Sequence, residues 1–169
     1  MKESIGGMSL FMIVILLIVL FAGIMSFTVN RSNSFAIKDE IISIIEADGG
    51  FDMNASYDFD NGRGDKTLGK IIDAIGTHKF RETGPCPDVE DPDVVACYDR
   101  VGRDVSEGEE NKASIVIIRH RGTQSSENLG TTEPFYYEVV VYYRFDLPVL
   151  NNILIFKVTG QTKPIYTSV

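Results

Sequence analysis

The chain has 169 residues, with 16 Lys and Arg against 24 Asp and Glu for a formal net charge of −8. That length holds one apolar segment and one domain of about 130 to 140 residues, and leaves no room for a second independent core. So acidic a balance repels phosphate backbones and anionic headgroups, which excludes nucleic acid as a partner class.

The first element is apolar. Between residues 5 and 30 there is no Asp, Glu, Lys or Arg, and residues 8–29 are almost wholly aliphatic. A helix crossing the hydrocarbon core needs roughly 20 such residues, so 8–29 is expected to span a bilayer. A cleaved signal peptide has a shorter apolar stretch of about 7 to 15 residues, closed by a small-x-small site. Ala22 and Gly23 are small, but the run continues through Ile24, Met25 and Phe27, which favours an uncleaved anchor over a signal peptide or a buried soluble helix. Residues 1–7 are then a short cytoplasmic N-terminus and 30–169 the domain. Lys2 on one side, with Arg31 and Lys38 on the other, leaves the orientation undecided by charge alone.

Ile37, Ile41, Ile44 and Ile45 follow at i, i+4, i+7 and i+8, one stripe of a helix, with Lys38, Asp39, Ser43 and Glu46 on the other face. Gly49 and Gly50 end it. No Pro separates this helix from the apolar segment, so the two are expected to form one rod, its lower half in lipid and its upper half packed on the domain. Residues 51–65 are loop by composition. Asp58 and Asp60 fit the first two ligands of a calcium loop, but Gly62 stands at the third and Arg63 at the glycine position, so an ordinary acidic turn is expected. Arg63, Gly64 and Asp65 match a cell-adhesion tripeptide that recurs by chance, and Asn30 and Asn54 begin glycosylation sequons. Asp65 is expected instead to cap a second short helix, with Leu68, Ile71, Ile72 and Ile75 on one face and Gly76 closing it.

Strand patterns take over beyond Thr77: weakly at 78–82, then at 94–101, 113–121, 135–145 and 153–159, the last three an antiparallel meander rich in β-branched and aromatic residues. In the longest run, Phe135, Tyr137, Val139, Val141, Tyr143 and Phe145 share one face, while Tyr136, Glu138, Val140, Tyr142 and Arg144 share the other. One face is expected on the helices and the other partly wet, with Tyr136 and Tyr142 a candidate contact surface. The fold class is α+β, with three to five antiparallel strands.

The two cysteines, Cys86 and Cys97, flank a Pro- and Asp-rich loop. A short ring closed by loop cysteines suits a disulfide made in an oxidising space, better than reduced thiols or a metal pair lacking further ligands. That favours a domain outside the cytoplasm. No catalytic pattern assembles, and no cofactor or metal is called for: His78 and His120 suit surface positions, and pairs such as Glu109 and Glu110 are solvated charge. An enzyme is not expected.

An apolar helix running into an amphipathic one, followed by a short helix and antiparallel strands, resembles the type IV pilin-like architecture. More narrowly, Phe35-Ala-Ile-Lys-Asp-Glu-Ile-Ile after the apolar segment, with Phe145-Asp-Leu-Pro-Val-Leu and Phe156-Lys-Val-Thr-Gly-Gln-Thr-Lys near the end, look like the TadE-like pseudopilins of Tad-type pili in Gram-positive bacteria. The resemblance implies a non-enzymatic subunit of a pilus or secretion apparatus, partnered by the membrane and by other pilin-like or assembly proteins, homo-oligomers included. It also implies peptidase cleavage after Gly7. That cut would put Met12 where such pilins keep a glutamate, so a minor subunit that stays at the membrane fits as well as a polymerised one. Ala22, Gly23 and Ser26 are the expected helix assembly face, because small residues let helices approach closely. The rival from another class is a signal-anchored ligand-binding or sensing domain with no part in pili.

Overall fold

A computed structural model of the protein describes residues 2–53, 64–78, 80–81, 83–88, 94–106, 112–121, 134–144 and 155–166. The ordinary acidic turn expected at 58–63, the sequon at Asn54 and the acidic pair at 109–110 lie outside the described residues. Helix α1 (Lys2–Asp48) is one unbroken rod of 47 residues. With no proline to remove an amide or clash with the preceding turn, nothing interrupts it. Its large side chains from Met8 to Met25 are between 42% and 73% exposed, whereas Ile37, Ile41 and Ile45 are fully buried. Gly49 and Gly50 end the rod with φ of 74° and 104°. The Gly50 amide donates to the Ile45 carbonyl at 2.9 Å, a six-residue closure that side-chain-bearing residues at positive φ would strain.

Helix α2 (Lys66–His78) runs back antiparallel along the upper half of α1. Asp65 caps it as its sequence position predicts: Thr67 and Leu68 amides donate to Oδ1 at 2.7 and 3.2 Å. The other oxygen accepts from Asp52 N at 3.1 Å, tying the cap to the end of α1. An Asp65→Ala variant should therefore lose about 1 kcal/mol by chemical denaturation, with no change in fold. The helix does not stop at Gly76. It continues to His78, because Thr77 Oγ1 donates to Asp73 O at 3.0 Å and His78 Nε2 lies 3.2 Å from Glu40 Oε2 on α1. Of the run expected as a weak strand at 78–82, the described residues are not in a strand: His78 is helical, and Phe80 and Arg81 lie outside any helix or strand.

Three carboxylates clamp the top of the domain. Glu46 accepts from the Lys163 amide at 2.9 Å, which holds its carboxyl below the usual glutamate value despite partial desolvation. Asp48 meets Lys70 Nζ at 2.6 Å and the Thr67 hydroxyl at 3.0 Å, and these two lower its pKa. Burial of Asp65 by itself raises its pKa, but the amides of Asp52, Leu68 and Thr67 outweigh it and the net direction is down. A carboxyl depressed on folding stabilises the fold while ionised; that contribution is complete above the unfolded-state value and is lost as pH falls through the folded one. Melting temperature should thus be insensitive to these groups above about pH 5 and fall below about pH 4, less steeply in an Asp48→Asn variant. A melting series across that range measures both.

The main sheet has order β2-β4-β5-β6, all antiparallel, from β2 (Val94–Tyr98), β4 (Ile115–Arg121), β5 (Phe135–Arg144) and β6 (Ile155–Gln161). A two-stranded sheet joins β1 (Gly84–Pro85) to β3 (Lys112–Ala113). The run expected at 113–121 is divided at Ser114, whose amide donates to Tyr98 O and whose carbonyl accepts from Tyr142 N, both at 2.9 Å. Strand β2 stops at Tyr98 because the Asp99 carboxylate accepts from the Val101 and Arg103 amides at 2.9 and 2.7 Å, turning the chain through Gly102.

Alternation places the two faces as period two requires. Ala96, Tyr98, Ile115, Ile117, Tyr137, Val139 and Val141 meet Ile37, Ile41, Ile45 and the α2 isoleucines in one core. Burial pushes the Tyr98 and Tyr137 hydroxyls up in pKa, and the Tyr137 hydroxyl donates to Phe51 O at 2.8 Å. Gly160 on β6 lets the sheet edge lie on α1: a Cβ there would sit 2.7 Å from both Lys38 Cδ and Ile42 Cδ1.

The opposite face is drier than the alternation suggested. Cys97, Val116, Ile118, Val140 and Tyr142 form a second cluster with Cys86 and Ala113. The Cys86–Cys97 disulfide, Cα atoms 5.9 Å apart, draws the chain across this face. Gly84 rests on the Tyr142 ring, where a Cβ would come within 2.1 Å of Cγ. Tyr142 is therefore a packing residue, 9% exposed, and not a contact surface. Tyr136 is half-buried and stacks on His120 at 4.9 Å between centroids.

Candidate functional site

Two features meet where α1 leaves its apolar stretch. The first is the bare lower half of α1 itself, the one described helix long and apolar enough to cross a membrane by length and composition. At about 1.5 Å per residue, residues 8–29 extend about 33 Å, against a hydrocarbon core of about 30 Å. Only 6% of its most apolar window is buried, whereas the core helix of a globule would be mostly covered.

The second feature is the lower end of the domain. Strand β5 starts near the top of α1, where Tyr137 meets Phe51, and finishes beside Phe27. There Phe27 lies 6.0 Å from Tyr143 and 5.3 Å from Phe156, and Tyr143 stacks on Phe156 at 5.6 Å. The sheet register pairs Tyr143 with Phe156 directly, so two strands deliver one aromatic wedge to the helix. Gly23, Phe27, Asn30, Ser34, Ile37, Ile41 and Ile45 repeat at three or four residues, and all are buried or half-buried along the domain side of α1. Ser34 hydrogen-bonds back to Asn30 O at 2.8 Å, which satisfies its buried hydroxyl.

The wedge borders a cleft of about 200 Å³, lined by Asn30 and Asn33 of α1, His78 of α2, Arg81 and Thr83 of the following segment, and Arg144 at the end of β5. No acid is among the described residues that line it. Thr83 Oγ1 is buried there without a hydrogen-bond partner among the described residues.

The residues singled out in the sequence are scattered across this architecture. Cys86 and Cys97 are joined as expected. Gly7 is exposed on the helix with open space around it. Ala22, Gly23 and Ser26 do not make one open face: Ala22 is exposed, Ser26 half-buried, and Gly23 buried one turn before Phe27. His78 and His120 each lie against a carboxylate, Glu40 and Glu138, at 3.2 and 3.1 Å. Among the described residues no group of three His, Cys, Asp or Glu could hold a metal ion. Sequence reasoning missed Phe27, which reads as one more residue of the apolar run, and Arg81 and Arg144, which read as ordinary strand positions. Only the β5–β6 register and the course of α2 bring them together. No protein family, curated protein or solved structure matches the chain.

Proposed function

We propose that the chain is a membrane-anchored, pilin-like subunit that joins a pilus or secretion apparatus through its N-terminal helix and carries its α+β domain outside the cytoplasm. The observation that supports this is one helix with two halves of opposite character, bare and apolar below Phe27, buried against a domain above it. Exposed apolar area on that scale needs lipid or other helices around it. The disulfide suits an oxidising compartment. Away from the domain, α1 exposes Ala22, Ala36, Ser43 and Ala47, small side chains that let a second helix approach.

Both native cysteines are in the disulfide, so a cysteine in place of Ala22 is the one free thiol. Oxidative crosslinking in cells of an Ala22→Cys variant should yield discrete adducts with itself or another small membrane protein. Lys157→Cys, on the exposed face of β6, reports random collision. Adducts no more frequent at 22 than at 157 would remove assembly and leave an anchored ligand-binding domain.

A further inference from the structure

The lower end of the paired strands β5 and β6 carries an apolar side chain that the domain leaves bare. Ile155, the first residue of β6, is 54% exposed, the most of any large aliphatic residue described outside α1. Its neighbour Phe156 turns the other way, into the wedge on Phe27. The sequence leading into Ile155 has the same character: Phe145-Asp-Leu-Pro-Val-Leu-Asn-Asn-Ile-Leu154 holds six large apolar side chains and one charge. A lone bare isoleucine is ordinary on a water-facing surface. The height of this one makes it different.

Phe27 lies two residues inside the apolar stretch, about 3 Å below its upper limit. Phe156 and Tyr143 rest on Phe27 at 5.3 and 6.0 Å between ring centroids, so the start of β6 stands level with the edge of that stretch. Strand β5 runs down to this level from Tyr137 beside Phe51, and β6 runs up from it to Gly160 beside Lys38 and Ile42. Arg144 and Ile155, paired across the two strands, are therefore the ends that point along α1 toward its apolar half. Where α1 spans a bilayer, Tyr143 stands at the interface, a depth at which tyrosine is enriched, and Ile155 stands beside it.

We infer that this end of the domain enters the leaflet on its own side of the bilayer, with Ile155 below the phospholipid headgroups, so that the protein holds lipid at a second point besides α1. The cover for Ile155 is lipid and not a second subunit, because the rings that seat β6 on Phe27 fix it at the hydrocarbon edge. The inference rests on the anchored reading.

The chain contains no tryptophan, so a single introduced one reports alone. Full-length Ile155→Trp, Thr159→Trp and Ile24→Trp variants are reconstituted in phosphatidylcholine vesicles, with and without lipid brominated near the headgroup end of its acyl chains. Thr159 is exposed on the same face of β6, about 13 Å further up, beyond a headgroup layer about 5 to 7 Å deep. Ile24 is exposed on α1 within the apolar stretch. Ile155→Trp should lose about half its emission to the brominated lipid and be at least about threefold less sensitive to aqueous acrylamide than Thr159→Trp, which the lipid leaves unquenched. Both β6 positions are exposed, so melting temperatures should match the parent. Should tryptophan disturb the strand, a nitroxide on Ile155→Cys gives the same reading by contact with oxygen against a water-soluble relaxer. Acrylamide quenching equal to that at 159 overturns the inference. So does shielding from acrylamide without quenching by lipid, the mark of a protein contact. With Ile24→Trp quenched by lipid, either failure belongs to this inference alone; with Ile24→Trp unquenched, the anchored reading falls and this one with it.

Discussion

Arginine substituted together at Ile13, Leu16 and Leu20 should move the protein out of the carbonate-resistant membrane fraction. Each arginine near the centre of a span costs about 2.5 to 3.5 kcal/mol, so three cost roughly 8 to 10 kcal/mol. An apolar residue contributes only about −0.3 to −0.6 kcal/mol, or about −6 to −12 kcal/mol for a span of about 20 residues. Three charges thus offset most or all of the drive to insert. None of the three positions lies on the domain side above Phe27, where Ile37, Ile41 and Ile45 are buried, so the domain itself has no reason to unfold. Membrane flotation and carbonate washing read the result. Parent protein that washes off at high pH, or a triple variant that stays bound, would count decisively against an anchoring helix.

Removing the disulfide should be the most damaging change to the domain. Cys86 and Cys97 are separated by 11 positions. Closing a ring of that size in the unfolded chain is worth about 3 kcal/mol. A Cys86→Ala/Cys97→Ala variant should melt roughly 10 °C lower, given about 3 to 5 °C per kcal/mol for a domain of this size. Cys97 is also fully buried among Val116, Val140 and Tyr142, so alanine leaves a small void that adds to the loss. Reductant should lower the melting temperature of the parent by a similar amount and leave the variant unchanged. A reductant-insensitive parent would mean that the covalent link contributes nothing.

Much of the architecture was legible because its causes are local. The isoleucine stripe of α1 is periodic in the sequence, and Ile37, Ile41 and Ile45 are all buried while Ile44 sits at the margin. Asp65 announced a cap by residue type, and the meander by strand composition and spacing. The end of α2 was misjudged because Gly76 is only a tendency to stop, outweighed by the bond between Thr77 and Asp73 and by His78 meeting Glu40. The second cluster was hidden because alternation says which residues share a face and not what later covers it; here a covalent link and a glycine bring β1 over Tyr142. The cleft was illegible for the same reason on a larger scale. Its lining comes from α1, the segment after α2 and the end of β5, more than a hundred positions apart, and none of these residues carries a pattern alone.

The unbroken rod has a mechanical consequence. Residues 30–48 extend about 28 Å beyond the apolar stretch. With no hinge in between, a lean of about 20°, ordinary for spanning helices, would displace Asp48 sideways by roughly 10 Å if the apolar stretch is anchored as proposed. The domain cannot swivel to cancel this, because the wedge at Phe27 and the seam up to Ile45 fasten it along the shaft. Lean at the base becomes sweep at the tip, as in a lever arm.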